Sequence, residues 1–177
     1  MIQYCKRCCL PSTKPHLSFD EEGICNACRN YENRKNVDWD ERKKELMEIL
    51  DRYRSKDGSN WDCIIPVSGG KDSTYQVITM LELGMNPLCV TATTCDLTDI
   101  GRRNIENIKK MGVDYIEVTT NRVVRAKLNR IGLTEVGDIS WPEHVSIFTV
   151  PVRMAVNFNV PLIIWGENSQ NEYGGPA

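Results

Sequence analysis

The sequence predicts an α/β domain, with a parallel sheet and helices on both faces, preceded by a small cysteine-rich segment. From residue 61 onward, apolar runs of strand length alternate with stretches whose apolar residues repeat at helical spacing. Glycines follow three of the helical stretches, at Gly84, Gly112 and Gly132, as is common after a helix. Strand–helix–strand alternation favours parallel pairing with right-handed crossovers. The chain is therefore divided into a cysteine-rich segment (1–36), a helical linker (37–60) and an α/β domain (61–177).

Helices are predicted where apolar side chains recur three or four residues apart, and strands where short apolar runs stand between turns. The predicted elements are a helix over 41–54 with Asp40 as N-cap, a strand over 63–67, a helix over 72–83, a strand over 87–93, a helix over 99–111, a strand over 114–118, a helix over 121–131, an irregular stretch over 132–143, a helix that starts at or is kinked by Pro151 and runs to 157, and a strand over 161–165. The predicted inward faces of the first four helices are Leu46, Leu50 and Tyr53; Thr74, Val77, Ile78 and Leu81; Ile105 and Ile108; and Val124, Leu128 and Ile131.

The composition narrows the class of protein. The chain has 22 Lys and Arg against 24 Asp and Glu, a net charge of -2, which argues against a dedicated binder of duplex DNA. No run approaches the roughly 18 apolar residues of a membrane span, and the start has no secretory signal. The predicted location is cytoplasmic, where reducing conditions favour metal ligation or chemistry over disulfides for the eight cysteines.

Two Cys-x-x-Cys pairs, Cys5 with Cys8 and Cys25 with Cys28, indicate a four-thiolate zinc ribbon. A segment of this length cannot bury enough apolar surface to fold alone, whereas structural zinc supplies about 10–16 kcal/mol in small peptides. Four sulfurs fill the coordination shell, so the predicted site is structural. Reduced, unligated thiols and a redox pair are the less favoured interpretations, and Cys9 is predicted to be no ligand.

A glycine-rich turn between the first predicted strand and the following helix indicates a phosphate-binding loop. It reads Ser68-Gly69-Gly70-Lys71-Asp72-Ser73. The glycines allow the backbone to approach an anion, and the helix N-terminus offers free N–H groups. Lys71 adds positive charge, and Asp72 is suited to hold an accompanying metal ion. The loop is not a Walker A motif, because Ile65 stands where that motif has its first glycine. An ordinary capped βα turn is the alternative.

The block 68–73 resembles the signature of the PP-loop ATP pyrophosphatases. That resemblance implies a HUP-type fold with strand order 3-2-1-4-5. It also implies cleavage of ATP between the α and β phosphates, with adenylation of a carbonyl or amide oxygen. By resemblance, Ser68, Gly69, Gly70, Lys71, Asp72 and Ser73 would hold pyrophosphate and Mg²⁺, and the end of the second strand, with Thr91 and Thr93, would meet the adenine.

A closer resemblance covers nearly the whole chain. Both cysteine pairs, the Ser-Gly-Gly-Lys-Asp-Ser-Thr block, the segment 141–149 and the segment 165–175, with Trp165-Gly166-Glu167-Asn168 and Glu172-Tyr173-Gly174-Gly175, are similar to the bacterial N-acetyl sugar amidotransferases. That family is implicated in lipopolysaccharide O-antigen and related surface-glycan biosynthesis. The resemblance implies conversion of the acetamido group of a nucleotide (UDP) sugar into an acetamidino group. It further implies ammonia from a glutaminase partner, delivered through a cyclase-like protein.

An acidic and amide cluster follows the last predicted strand: Glu167, Asn168, Asn171 and Glu172. Glu167 or Glu172 would orient ammonia or accept its proton, or would bind a sugar hydroxyl or Mg²⁺; a solvated acidic loop is the alternative. Lys71, Asp72, Glu167 and Glu172 are thus the candidate catalytic residues. His144 is left open between a catalytic and a structural role.

Two other functions stay open. A PP-loop tRNA thiolase would use sulfur chemistry at Cys95 and a basic tRNA surface, against which the net charge of -2 speaks weakly. A non-catalytic zinc-ribbon and nucleotide-binding module is the second. Only four strands are predicted, so the α/β domain is expected to be incomplete at its C-terminus, and the isolated chain is expected to turn over weakly or not at all.

Overall fold

The computed structural model describes residues 1–94 and 97–167, and they form two units. The first unit comprises Met1–Leu46 together with Glu167, and the second comprises Met47–Gly166. The helices are α1 (Asn26–Asn33), α2 (Trp39–Tyr53), α3 (Lys71–Glu82), α4 (Asp99–Lys109), α5 (Arg122–Ile131) and α6 (Trp141–Asn157); the strands are β1 (Cys63–Pro66), β2 (Pro87–Thr93) and β3 (Asp114–Thr119). Short helical turns span Arg34–Asn36 and Gly132–Val136. Within the described ranges, no helix is long and apolar enough to cross a membrane.

The sheet of the second unit is parallel, as the strand–helix alternation predicts. Its order is β1-β2-β3, with Ile65 beside Cys89 and Cys89 beside Tyr115. An isolated parallel bridge joins Ile64 to Ile163, so the predicted fourth strand is reduced to one bridge next to β1. With this bridge in the place of the fourth strand, the order is 3-2-1-4, which agrees with the first four positions of the expected order 3-2-1-4-5.

The sheet carries helices on both faces, and side-chain alternation along the strands decides which residues meet them. One face packs Ile64, Leu88 and Val90 against Val150 and Ala155 of α6. The opposite face carries the Tyr115 ring, over which the Lys109 amine of α4 lies at 5.1 Å from the ring centroid. Ile105 and Ile108 of α4 are buried, which confirms the inward face predicted for that helix.

The predicted inward face of α5 is wrong, and that of α3 is right only in part, since Val77 is buried as predicted. In α3 the buried side chains are Ser73, Val77 and Met80, and Ile78 is exposed. In α5, Val124, Leu128 and Ile131 are all exposed. The rotation of α5 follows its polar side chains: Arg125 donates to the Thr93 carbonyl at 3.1 Å, and Asn129 donates to the Ile139 carbonyl and the Glu143 carboxylate. These hydrogen bonds turn the Arg125 and Asn129 side of α5, and not its apolar stripe, toward the rest of the second unit.

One predicted helix cap is also wrong, and two neighbouring predictions are right in part. The N-cap of α2 is Asp38 instead of Asp40, since its carboxylate accepts the N–H groups of Asp40 and Glu41 at 3.1 and 3.0 Å. The helix α5 ends at Ile131 with Gly132 as its C-cap, as predicted, but the segment 132–136, predicted as irregular, forms a further helical turn that ends at Gly137 with φ +81°. The last helix begins at Trp141, so Pro151 is not its start, and Pro151 lies buried inside the helix; the predicted kink stays a prediction.

Gly132, at the end of α5, is required by a close backbone approach. A Cβ atom at this position would lie 2.6 Å from the carbonyl oxygen of Asp138. The same segment is closed by a hydrogen bond from the Asp138 N–H to the Gly132 carbonyl at 3.0 Å. The sequence shows that a glycine stands at position 132, but only the structure shows that the contact with the backbone at Asp138 leaves no room for a Cβ atom there.

Asp62→Ala is expected to lower the free energy of unfolding of the second unit by about 2–3 kcal/mol, because charged hydrogen bonds are lost at a buried site. Asp62 is 4% exposed, and its carboxylate accepts the N–H groups of Ser55 and, at 2.7 Å, Asn86. The matched control is Asp57→Ala, which removes an exposed carboxylate that accepts the Ser59 N–H; urea unfolding should show a loss below about 1 kcal/mol. Equal losses in the two variants would contradict this role for Asp62.

Candidate functional site

Four cysteine sulfurs meet in the first unit. The Sγ atoms of Cys5, Cys8, Cys25 and Cys28 all lie within 4.8 Å of one another. Cys5 and Cys28 are separated by 4.0 Å between sulfurs, and Cys8 and Cys25 by 3.6 Å. Thiolates around a tetrahedral zinc ion, at about 2.3 Å from it, lie about 3.8 Å apart. The four cysteines are therefore placed to hold a metal ion, and Cys9 is outside the cluster, as predicted.

Local backbone structure brings the sulfurs together. Antiparallel bridges between Tyr4 and Pro11 and between Phe19 and Cys25 close the two cysteine-bearing turns, and Cys28 lies in α1. The N–H groups of Arg7 and Cys25 donate to the Cys5 sulfur at 3.4 and 3.3 Å. Such bonds favour the charged thiolate, which is the form that binds a metal.

The ionisation of the cluster is uneven. Burial raises the pKa of the Cys5 thiol, but hydrogen bonds from the N–H groups of Cys8, Arg7 and Cys25 together outweigh it and bring this pKa to about 6. Burial raises the pKa of Cys28 to about 12, with the neighbouring sulfurs adding to the effect, and burial also raises the pKa of Cys25. A divalent cation at the centre would favour the thiolate at all four positions.

An ionic network that the sequence analysis did not identify supports the second cysteine pair. Asp20 accepts the N–H groups of Glu22 and Ile24 at 3.0 and 2.9 Å. Its other carboxylate oxygen binds the Arg29 guanidinium at 2.7 Å, and Arg29 also pairs with Glu22 and Glu32. Hydrogen bonds from Ile24 and Arg29 lower the pKa of Asp20. The turn that presents Cys25 is therefore held by one aspartate.

In the second unit, the loop 68–73 joins the carboxyl end of β1 to the start of α3. Gly69 has φ +79°, and a Cβ atom there would lie 3.2 Å from Cγ1 of Ile105 and 3.4 Å from Cβ of Asn104. Gly70 is the N-cap of α3, and its carbonyl accepts the Ser73 and Thr74 hydroxyl groups at 3.2 and 2.9 Å. The loop thus packs against α4 and leads into a helix N-terminus, which favours an anion.

The two charged side chains of the loop pair with each other. The Lys71 amine lies 2.6 and 2.8 Å from the two carboxylate oxygens of Asp72. Both side chains are largely exposed, at 87% and 77%. Solvent therefore screens the attraction between the two charges, and the ion pair is weak. Lys71 is therefore free to turn to a phosphate, and Asp72 to a cation, at little cost.

The ends of β2 and β3 lie at the same edge of the sheet as the loop. The buried Thr91 hydroxyl donates to the Val67 carbonyl, next to Ser68. The Thr93 hydroxyl donates to the Glu117 carboxylate at 2.9 Å, and Arg102 binds the same carboxylate at 2.9 and 3.1 Å. The Arg102 hydrogen bonds lower the pKa of Glu117. The adenine contact of Thr91 and Thr93 stays a prediction, and the sequence analysis did not identify Glu117 or Arg102.

The remaining candidate residues are placed as follows. Glu167 is exposed and belongs to the first unit. His144 is exposed in the first turn of α6. Asn168, Asn171, Glu172 and Cys95 lie outside the described residues. The catalytic roles of Glu167 and Glu172 therefore stay predictions.

Gly69→Ala is expected to lower the free energy of unfolding by about 2–4 kcal/mol, since a left-handed residue gains a Cβ in a crowded site. The matched control is Gly58→Ala, where φ is +68° but nothing lies within 4 Å of the added atom. Chemical unfolding of that control should lose only about 1–2 kcal/mol, the backbone cost alone. The same loss in both variants would rule out tight packing of the loop against Ile105.

Comparison with known proteins finds one relative by sequence and several by fold. No family model matches the chain. An uncharacterized protein of Methanocaldococcus jannaschii is 31% identical over 99 residues, which are 55% of this chain and 35% of that protein. NMN synthetase from Francisella tularensis matches with a TM-score of 0.53 at 14% identity, over 73% of this chain and 55% of that structure. NH3-dependent NAD synthetase from Campylobacter jejuni, solved with nitrate, matches with a TM-score of 0.56 at 13% identity, over 76% and 58%.

These likenesses define the fold. The chain has an α/β fold, with a parallel sheet flanked by helices, similar to that of these two synthetases, and four cysteines close together in the unit that contains Met1–Leu46. It spans about a third of the length of the curated relative and little more than half of each solved structure. At 13 and 14% identity the solved structures establish fold only, and activity is argued separately below.

Proposed function

We propose that the chain carries the ATP-binding part of an ATP-dependent amidotransferase that acts on an acetamido group of a nucleotide sugar. The observation that carries the proposal is the loop 68–73, with left-handed Gly69 and N-cap Gly70 between β1 and α3. A strand, an anion loop and a helix N-terminus in this order favour a polyphosphate. The sequence of the loop resembles the PP-loop signature, which supports ATP as the ligand.

The proposed reaction has two steps, adenylation of the acetamido oxygen and displacement of AMP by ammonia. The acetamido oxygen attacks the α phosphorus of ATP, and the bond to the β phosphate breaks to release pyrophosphate. Ammonia then attacks the activated carbon, the carbon–oxygen bond breaks with AMP as the leaving group, and the nitrogen loses a proton. An amide is a poor electrophile until its oxygen is turned into a leaving group, so the free energy of ATP is used at that point.

The residues of the loop 68–73 would have different roles in this reaction. Ser68, Gly69, Gly70 and Ser73 would bind the β and γ phosphates through N–H and hydroxyl groups. Lys71 would stabilise the charge that develops on the departing pyrophosphate. Asp72 would hold Mg²⁺, whose carboxylate and water ligands suit such a site. We propose Glu167 or Glu172 as the group that orients ammonia or accepts its proton.

We propose zinc as the ion of the four cysteines, because four thiolates suit it and the sulfur separations fit its tetrahedral geometry. With no open position, the ion would stabilise the fold of the first unit instead of acting on substrate. The proposed partners are a glutaminase and a cyclase-like protein that delivers ammonia, and the proposed context is O-antigen or related surface-glycan biosynthesis.

The test is incubation of a C-terminally extended version of the chain with ATP, Mg²⁺, ammonia and a UDP-diacetamido sugar. Formation of AMP and pyrophosphate, with loss of about one mass unit from the sugar, is the expected result, because NH replaces O. AMP formed only with tRNA and a sulfur donor would overturn the amidotransferase in favour of a thiolase. Mg²⁺·ATP binding without AMP under either condition would overturn catalysis by this chain in favour of a nucleotide-binding module. Lack of Mg²⁺·ATP binding would overturn the whole proposal.

A further inference from the structure

A buried hydroxyl of β2 contacts the backbone just before the phosphate-binding loop. Regular pairing of β1 with β2 ends at Pro66 beside Val90. The Val67 N–H still donates to the Val90 carbonyl at 2.9 Å, and the Val67 carbonyl accepts the Thr91 hydroxyl. Thr91 is only 6% exposed. Both polar groups of Val67 are thus held by β2 at the position where the chain leaves the sheet.

The number of protons available determines which group donates in the hydrogen bond between Thr91 and Tyr115. The Thr91 hydroxyl also contacts the phenol oxygen of Tyr115 on β3. A hydroxyl has one proton, and Thr91 uses it on the Val67 carbonyl, so Tyr115 donates to Thr91. Burial raises the pKa of Tyr115 to about 12, which keeps the phenol protonated as this arrangement requires. The chain of donors runs from Tyr115 through Thr91 to Val67.

Holding the Val67 carbonyl determines the orientation of the next N–H group. The peptide between Val67 and Ser68 is planar and trans, so its N–H points opposite to its carbonyl. The carbonyl points to Thr91, and the Ser68 N–H therefore points away from β2. Successive hydrogen bonds polarise one another, so a carbonyl that accepts from this chain makes the Ser68 N–H a stronger donor.

We propose that Thr91 and Tyr115 are positioning residues, which fix and polarise the Val67–Ser68 peptide so that the Ser68 N–H binds phosphate. This inference rests on the proposed function, because it deepens the role of the same loop. It also gives Thr91 a different task from the adenine contact expected by resemblance. The Thr91 hydroxyl serves the loop through the backbone and does not touch the nucleotide.

The experiment compares pyrophosphate binding, with Mg²⁺, by calorimetry in four variants. Thr91→Val keeps the shape but loses the hydroxyl, and we expect binding about tenfold weaker. Thr91→Ser restores the hydroxyl and should bind within about threefold of wild type, and Tyr115→Phe should fall between. The matched control is Thr149→Val, which removes a hydroxyl that donates to a backbone carbonyl in α6, at 2.7 Å to Val145; it should bind like wild type.

A second readout separates this inference from the proposed function. The ¹⁵N resonance of Ser68 in the ligand-free protein should move upfield in Thr91→Val and Tyr115→Phe, and stay in place in Thr149→Val. Unchanged binding and an unchanged Ser68 resonance in Thr91→Val would overturn the inference, as would Thr91→Ser behaving like Thr91→Val. If wild type binds no pyrophosphate, the proposed function fails, and the Ser68 resonance alone then supports or overturns the positioning of the peptide.

Discussion

Cys25→Ser is expected to abolish metal binding and to unfold most of Met1–Leu46. Among residues 1–46, all of which the structure describes, only Cys5, Gly23 and Cys25 are buried. The segment therefore has no apolar core besides its cysteines. A structural zinc ion supplies about 10–16 kcal/mol in small peptides, and this would be nearly all of the free energy that stabilises the segment. Removing one of four ligands should leave too little to offset the conformational entropy of ordering the chain.

The measurement is metal content per chain, followed by limited proteolysis. Wild type should hold one zinc ion and resist cleavage within residues 1–46, whereas Cys25→Ser should hold about none and be cleaved there. Cys9→Ser is the matched control, since Cys9 is exposed, adjoins Cys8 and lies outside the cluster. A wild-type chain without metal and with four titratable thiols would contradict the metal centre. Retention of the ion by Cys25→Ser would contradict this four-ligand set.

Lys71→Ala is expected to lower AMP formation by about 10²–10³-fold, because the amine is the positive charge of the loop and charge develops on the departing phosphate. The effect on folding should be small, within about 0.5 kcal/mol, since the Lys71–Asp72 pair is exposed. A loss of activity without a loss of stability is what separates a role in binding or chemistry from a structural role.

Single-turnover formation of AMP and urea unfolding should be measured on the same preparations of the C-terminally extended version. Lys56→Ala is the matched control, because Lys56 is an exposed lysine of the same unit, in the loop before β1. Asp72→Asn should lose activity as Lys71→Ala does, and excess Mg²⁺ should restore part of it if the carboxylate binds the cation. Wild-type rates in Lys71→Ala would contradict the assignment of 68–73 as the polyphosphate loop.

Local sequence patterns correctly predicted the elements that are determined by residues close together in the chain. The strand over 87–93 and the burial of Ile105 and Ile108 are confirmed, because their apolar residues are dense and regular. Pro151 predicted either a helix start or a kink at that position, and the start is wrong, because α6 begins at Trp141. A proline costs one hydrogen bond locally, while the packing of Val150 and Ala155 against β1 and β2 is a long-range contribution that a local pattern does not contain.

The rotation of a helix about its axis is another property that local patterns predict poorly. In α5 the apolar residues Val124 and Leu128 are exposed, because Arg125 and Asn129 bind the Thr93 carbonyl and Glu143. Those partners lie 14 or more residues away along the chain from the residues that bind them. The sequence contains the side chains but not their distances, so it cannot state which of two possible faces is enclosed.

By itself, the sequence determined the parallel α/β class, the cysteine quartet and the loop 68–73, because each depends on residue type and short spacing. Cys-x-x-Cys pairs and a glycine pair before a helix have the same local geometry in any fold that contains them. Only the tertiary structure decided that Thr91 and Tyr115 reach the Val67 carbonyl and that Gly69 packs on Ile105. Those contacts join three strands and a helix, and strand register and helix packing bring them together.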